Sequence, residues 1–254
     1  MVRQIDLNAD LGEGFGAYSV GNDEAMLAIV TSANIACGLH AGDPEIMAQT
    51  FRLAGGRNVS IGAHPGYPDL WGFGRRRIPF STGEIERLVA YQVGAAMGIA
   101  ALTGQRVRYV KNHGALANIA AEERPVADAI AKGVRSVDAS LGLLATALTQ
   151  QTYAGEAMGL RVFQEIYADR GYDERGQLIA RGSPGAMIED ADHAASRVVA
   201  MVEQGGVITA NGRLLTTEIH SVCVHGDSPH AVGLAKSLRA MMEKAGIIVA
   251  PFFP

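Results

Sequence analysis

The chain has 254 residues, enough for one α/β barrel or two small domains, and its hydrophobic and charged fractions of 48% and 19% are ordinary for a globular protein. A net charge of −4 gives no reason to expect a nucleic-acid partner. The sequence shows no signal-peptide pattern and no apolar run as long as a membrane span, so we expect a cytoplasmic protein without a membrane partner.

Strand and helix patterns alternate along the chain, with no linker or low-complexity segment that would mark a domain boundary. The predicted strands cover residues 3–8, 32–37, 59–63, 107–111, 141–144, 161–167 and 221–224. The predicted helices cover residues 43–54, 81–103, 115–135, a stretch after 144, residues 190–203 and a segment from 228. Asn211-Gly212 predicts a hairpin turn before the last strand. This order favours one parallel β/α barrel over residues 1–254 rather than a mixed sheet.

Four of the seven histidines follow short apolar runs and lie close to glycines: His40, His64, His113 and His225. A neutral imidazole can accept a proton or bind a metal near pH 7. The carboxyl ends of barrel strands meet on one face, where active sites are built. We therefore expect the four rings to converge on one site of an enzyme.

The first predicted strand and the two residues after it carry polar side chains at every second position: Asp6, Asn8 and Asp10. Period two directs all three to the same side, which in a small barrel is the packed interior. Buried carboxylates need partners, so we expect a metal, a lysine or a ligand's donors beside them. Lys111, two residues before His113, suits a site that binds an anion and moves a proton.

A metal site is one alternative for the histidines, because Asp10, His40 and His64 together could hold a divalent ion. Neither a closely spaced histidine pair nor an HExxH motif supports it, so we predict no tightly bound metal. Cys37 and Cys223 lie in apolar strand-like runs, which predicts reduced, buried thiols with a structural role.

The segment 65–80 after His64 is long for a loop in a compact domain and contains three consecutive arginines. It suits a binding loop in which Arg75 and Arg76 clamp a phosphate or carboxylate. A solvated basic loop or an oligomer contact is the alternative.

Six motifs, in order along the chain, resemble those of the LamB/YcsF family. They are Asp6-Leu-Asn-Ala-Asp-Leu-Gly-Glu13, Ser32-Ala-Asn-Ile-Ala-Cys-Gly-Leu-His-Ala-Gly-Asp-Pro44, Ile61-Gly-Ala-His-Pro-Gly-Tyr-Pro-Asp69, Gly72-Phe-Gly-Arg-Arg76, Ala168-Asp-Arg170 and Cys223-Val-His-Gly-Asp227. The resemblance implies a distorted seven-stranded parallel β/α barrel, similar to those of glycoside hydrolases and polysaccharide deacetylases. It also implies ATP-driven opening of the lactam 5-oxoproline to L-glutamate, with Mg²⁺ accompanying ATP and with two partner subunits, B and C.

Opening a lactam needs a base for water, cations for a phosphorylated oxygen and a proton for the leaving nitrogen. We assign the base to Asp10 or His64, the cations to Lys111, Arg75 and Arg76, and the proton donor to His113 or His225, with His40 beside them. The matching motifs add a set of expected substrate contacts: Asn8, Glu13, Asn34, Asp169, Arg170 and Asp227.

One motif departs from the family pattern Lys-Pro-His-Gly-Ala-Leu-Tyr-Asn. It is Lys111-Asn-His-Gly-Ala-Leu-Ala-Asn118 here, so that Asn112 replaces a proline and Ala117 a tyrosine. The substrate could therefore be another lactam or cyclic amide. Two other functions stay open: an autonomous metal-dependent amidohydrolase or deacetylase, and a non-catalytic scaffold for subunits B and C.

Overall fold

A computed structural model describes residues 3–226 and 231–253. Its strands are β1 (Gln4–Leu11), β2 (Ser32–Ala36), β3 (Ser60–His64), β4 (Tyr109–Val110), β5 (Gly142–Thr146), β6 (Arg161–Tyr167), β7 (Gly206–Ile208), β8 (Leu214–Thr216), β9 (Ser221–Val224) and β10 (Ile248–Val249). Its helices are α1 (Asp23–Leu27), α2 (Pro44–Gly55), α3 (Thr82–Leu102), α4 (Gly114–Glu122), α5 (Arg124–Val137), α6 (Gln150–Ala157), α7 (Ala191–Gln204) and α8 (Ala231–Lys244).

Seven parallel strands form a closed barrel, as the sequence predicted. The first six pair in chain order, β9 pairs with β6, and β9 also pairs with β1 to close the ring. The predicted hairpin is the antiparallel pair β7–β8, which lies outside the barrel sheet. The short strand β10 was not predicted, and it extends the pairing of β1 at Gln4 and Ile5.

The helix starts follow the capping signals in the sequence. Asp43 accepts hydrogen bonds from the first turn of α2, and Ser81 with Glu84 forms a capping box at α3. The helical sequence predicted over 115–135 is confirmed, but it forms two helices, because the chain breaks at Glu123 into α4 and α5. Pro125 explains the break: it has no N–H to continue α4 and fits only in the first turn of α5.

Apolar helix faces cover the outside of the barrel. On α3 the buried face carries Ile85, Val89, Val93 and Ala96, and the helix packs against β3 and α5. Among the described residues it is also the one helix whose length and composition suit a membrane span, a property shared by core helices of globular barrels.

The inside of the barrel is polar along β1. The Asp6 carboxylate accepts hydrogen bonds from the hydroxyls of Thr31 and Ser32, both at 2.6 Å, and from Ser221 on β9. One level higher, Asn8 donates to the Ser221 hydroxyl at 2.7 Å. Asp10 lies above Asn8 near the end of β1, where it lines a cavity. Asp6, Asn8 and Asp10 therefore share one side of the strand, as predicted, and that side is the barrel interior.

Candidate functional site

A cavity of about 610 Å³ opens where the carboxyl ends of the barrel strands meet. Its lining includes six of the predicted site residues from four strand ends: Asp10, Glu13, His64, Lys111, His113 and His225. The predicted convergence of the histidine rings therefore holds for the three that line the cavity, and His40 lies directly beneath them, stacked on His113.

Lys111 is a buried cation of the site, with 2% of its side chain exposed. Its ammonium lies 2.9 Å from Asp10 Oδ1, 3.2 Å from Glu165 Oε2, 3.2 Å from Asn8 Oδ1 and 3.0 Å from Cys223 Sγ. Burial lowers the pKa of Lys111, but the charges of Asp10 and Glu165 outweigh it and raise the pKa well above its usual value. Lys111 therefore stays protonated and holds the carboxylates in place.

Asp10 is an ionised carboxylate at the cavity surface. Burial raises its pKa, yet the neighbouring His64 and Lys111 lower it well below the ordinary value. Its Oδ1 also accepts from Asn34 Nδ2 at 2.8 Å, and Asn34 accepts in turn from Tyr109 Oη at 2.8 Å. Asn34 does not line the cavity, so it orients Asp10 from below.

His64 and His113 meet edge to face at the cavity floor. His64 Nδ1 is 2.7 Å from the Lys111 carbonyl oxygen, and His113 Nε2 is 2.7 Å from the Phe73 carbonyl oxygen. The remaining nitrogens, His64 Nε2 and His113 Nδ1, are 3.1 Å apart. Asp10 Oδ2 lies 3.4 Å from His64 Nε2.

His40 lies under this pair, stacked on His113 with ring centroids 3.8 Å apart. Glu13 Oε1 is 3.4 Å from His40 Nε2 and 3.4 Å from His113 Nδ1. Burial and then the neighbouring histidine rings hold the pKa of both His40 and His113 well below the usual value, so both rings are neutral near pH 7.

Two glycines allow the backbone to cover His40. A Cβ at Gly66 would be 2.7 Å from His40 Nδ1, and a Cβ at Gly74 would be 2.7 Å from His40 Cβ and 2.8 Å from His113 Cδ2. Gly74 also has φ +64°, which L side chains rarely adopt. The predicted binding loop thus packs its main chain on the histidines.

His225 forms a dyad with Asp169 on the opposite side of the cavity. Its Nδ1 is 2.8 Å from Asp169 Oδ2, and its ring stacks on Tyr167. Burial raises the pKa of Asp169, but His225 outweighs this and lowers it below its usual value. A carboxylate can only accept, so His225 Nδ1 donates and Nε2 is left for other partners; Arg181 lies 3.5 Å from it.

Four arginines line the cavity: Arg75, Arg77, Arg170 and Arg181. Arg170 donates to the carbonyls of Ala186 at 3.1 Å and Ile179 at 2.6 Å, which ties the segment after β6 to the rim. Glu122 and Glu123 line the cavity as well, and Arg77 Nη1 lies 2.8 Å from Glu123 Oε1. The rim therefore carries both signs of charge, with arginines that suit an anionic group.

Some predicted residues lie elsewhere. Arg76 is bound to Asp69, with Nε 3.0 Å from Oδ2, and is not part of the lining, so its predicted anion contact remains a prediction that the geometry disfavours. Asn8 lies deeper in the barrel, where it contacts Lys111. Asp227 lies outside the described residues.

Sequence reasoning missed four contributors to the site. Arg77 and Arg181 line the cavity, and Glu165 and Cys223 contact the Lys111 ammonium. The period-two pattern of Glu165, Tyr167 and Asp169 predicts that all three lie on one side of a strand and its exit, but the predicted site included only Asp169 of the three. Both cysteines are free and buried, as predicted, although the contact of Cys223 with Lys111 was not foreseen.

A model of the LamB/YcsF family matches residues 5–254. The A subunit of 5-oxoprolinase from Azorhizobium caulinodans is 60% identical over 98% of this chain and 99% of its own length. The corresponding protein of Gluconobacter oxydans is 54% identical over 97% of both chains. Among solved structures, the lactam utilization protein from Thermus thermophilus superposes with a TM-score of 0.91 at 39% identity, covering 97% of this chain and 99% of that one.

Proposed function

Since the chain belongs to the LamB/YcsF family, we propose that it is one subunit of an ATP-dependent 5-oxoprolinase and that its cavity opens the lactam of 5-oxoproline to L-glutamate. It works in the cytoplasm with two partner subunits, B and C, and ATP enters with Mg²⁺ as a co-substrate. The names of the relatives at 60% and 54% identity support membership of such a complex. The chemistry of the cavity supports the reaction.

One observation carries the proposal: a carboxylate and an imidazole flank the same small space. An oxygen of Asp10 and a ring nitrogen of His225 lie within 4.8 Å of each other, and both residues line the cavity. This spacing lets one group accept a proton and the other donate a proton at adjacent atoms of one substrate.

A lactam carbonyl is a poor electrophile, and phosphorylation corrects this. The lactam oxygen attacks the γ-phosphorus of ATP, and the bond to ADP breaks. Water then adds to the ring carbon, the carbon–nitrogen bond breaks as the nitrogen takes a proton, and the resulting acyl phosphate is hydrolysed by a second water. The sum is 5-oxoproline, ATP and two waters giving glutamate, ADP and phosphate.

The residues divide these tasks. Asp10, kept ionised by Lys111, accepts the proton of the attacking water. His225, oriented by Asp169, delivers the proton to the ring nitrogen. Arg75 and Arg181 on the rim balance the charge of the phosphoryl group. The alternatives His64 and His113 are already engaged with backbone carbonyls and with each other.

The test is glutamate formation from 5-oxoproline by the full chain reconstituted with subunits B and C. Asp10→Asn and His225→Asn should each lower kcat by about a hundredfold or more, whereas His193→Ala, at an exposed position on α7, should keep wild-type activity. Full activity in both site variants, or turnover by subunits B and C alone, would refute the proposal and favour the scaffold role.

The cluster of buried imidazoles at the cavity floor favours a second candidate, a hydrolase that acts alone on a cyclic or acetylated amide. The same assay separates the two. Turnover by the isolated chain without ATP would support this candidate, and strict dependence on ATP and on the partner subunits would exclude it.

A further inference from the structure

Four buried side chains from four segments of the barrel bring their potential ligand atoms close together. They are Glu13 after β1, His40 after β2, His64 at the end of β3 and His113 after β4. One oxygen or nitrogen from each lies within 4.8 Å of all the others. The proposed lactam chemistry uses none of the four as acid or base.

Hydrogen bonds define the protonation of two of these rings. A carbonyl oxygen only accepts, so His64 Nδ1, facing the Lys111 carbonyl, and His113 Nε2, facing the Phe73 carbonyl, both carry hydrogen. In neutral rings the other nitrogens, His64 Nε2 and His113 Nδ1, then present lone pairs, and these face each other at 3.1 Å. Two facing lone pairs require a cation between or beside them, which is either a proton or a metal ion.

His40 supplies the second, independent observation. Its side chain is buried, and neither ring nitrogen has a hydrogen-bond partner among the described residues. A buried polar atom left in this state is unfavourable and calls for an explanation, such as an ion. His40 Nε2 lies 3.4 Å from Glu13 Oε1, and a ligand atom of His40 is within 4.8 Å of those of His64 and His113.

Three of the six separations among these ligand atoms match those around a tetrahedral ion. Ligands bound about 2.0–2.1 Å from Zn²⁺ lie about 3.3 Å from one another at tetrahedral angles. The separations here are 3.1 Å for His64 to His113 and 3.4 Å for Glu13 to each of His40 and His113.

We propose that Glu13, His40, His64 and His113 bind one divalent transition-metal ion of the Zn²⁺ class at the floor of the cavity. Three imidazoles with one carboxylate suit zinc and its neighbours, whereas Mg²⁺ prefers oxygen ligands. Three of the four ligands line the cavity, so the ion is placed to polarise an oxygen of a bound molecule. The sequence predicted no tightly bound metal, and a measurement of metal binding decides between the two.

A second group of potential ligands carries no such proposal. Asp10, Cys223 and His225 also lie within 4.8 Å of one another, but the Lys111 ammonium is 2.9 Å from Asp10 Oδ1 and 3.0 Å from Cys223 Sγ. A cation already occupies this position.

The test measures metal binding by the isolated full-length chain and is independent of lactam turnover. The chain is stripped with a chelator, titrated with Zn²⁺ by calorimetry and quantified by plasma mass spectrometry, with Mg²⁺ as the comparison ion. We expect one zinc per wild-type chain, no competing Mg²⁺ binding, and affinities lower by roughly a hundredfold in His40→Ala and His113→Ala. His193→Ala, the same substitution at an exposed histidine, should bind like wild type.

X-ray absorption at the zinc edge of the wild-type protein needs no variant to fold. Imidazole nitrogens and one oxygen around zinc support the proposal, and a sulfur ligand overturns it by placing the ion at Cys223. The proposal is also overturned when wild type binds no zinc, or when both ligand variants bind it as tightly as wild type. A shared proton between His64 and His113 then accounts for their contact.

Discussion

Asp6→Asn tests the energetics of the polar column inside the barrel. The Asp6 carboxylate is fully buried, and burial raises its pKa to about 6 from 3.8, against the opposing effect of hydrogen bonds from three hydroxyls, those of Ser221, Ser32 and Thr31. The asparagine has the same shape, and its amide can donate to the Ser221 hydroxyl. The substitution therefore removes the titration while keeping most contacts.

The sign and size follow from linkage. A carboxyl whose pKa is higher in the folded state contributes its full stability below pH 4, and this is lost as pH rises through 6. A shift of about 2.2 units, from 3.8 to about 6, corresponds to about 3 kcal/mol at 1.36 kcal/mol per unit. The free energy of unfolding of the variant, taken relative to that of wild type, should thus rise by about 3 kcal/mol as the pH increases from 4 to 8.

The assay is urea unfolding of both proteins at several pH values, followed by far-ultraviolet circular dichroism, because Trp71 is 98% exposed and reports little on the core. Asp43→Asn is the matched control. Hydrogen bonds from the first turn of α2, that of Ile46 first, lower the pKa of Asp43 below 3.8, so its contribution to stability is lost only as the pH falls below that value. The difference between Asp43→Asn and wild type should therefore stay nearly constant from pH 4 to pH 8. Parallel stability curves for Asp6→Asn and wild type from pH 4 to pH 8 would refute the reasoning.

Two further substitutions probe the site. Lys111→Met leaves Asp10 and Glu165 buried without their cation, so the free energy of unfolding should fall by about 3–5 kcal/mol at pH 8. The loss should be smaller at pH 5, where a carboxyl can protonate. Equal losses at the two pH values, measured by urea unfolding, would contradict this. Ala117→Tyr places a phenol in the cavity lining. It should lower kcat/KM for lactams larger than 5-oxoproline by about tenfold or more and leave kcat/KM for 5-oxoproline itself unchanged. Unchanged selectivity in the assay reconstituted with subunits B and C would show that residue 117 does not limit substrate size.

Much of the barrel could be predicted because its signals are local. The apolar runs, the capping residue Asp43 and the capping box at Ser81 act over a few residues, and they identified all seven barrel strands. Elements held mainly by distant partners were missed. Strand β10 has two residues and depends on its pairing with β1, and α1 has five.

The site was predictable in its residue types but not in its pairings. Position at a strand end identified His64 and His113 as candidates, yet only barrel closure reveals that a ring nitrogen of each lies 3.1 Å from the other. Arg76 and Arg77 look equivalent in sequence. Arg76 forms a local salt bridge with Asp69, whereas Arg77 lines the cavity. Which of the two side chains faces the cavity depends on the course of the loop backbone.

Closure of the ring through β9 has a consequence for how the protein forms. Ser221 binds Asp6 and Asn8 across more than 200 residues of chain, and His225 joins the cavity from the end of the same strand. Such distant pairing is slow to form, since a long loop must close before the contact stabilises it. During synthesis Asp6 and Asn8 must therefore wait for Ser221 until almost the whole polypeptide has left the ribosome, although Thr31 and Ser32 reach Asp6 early. A truncated product ending before β9 would lack a complete cavity.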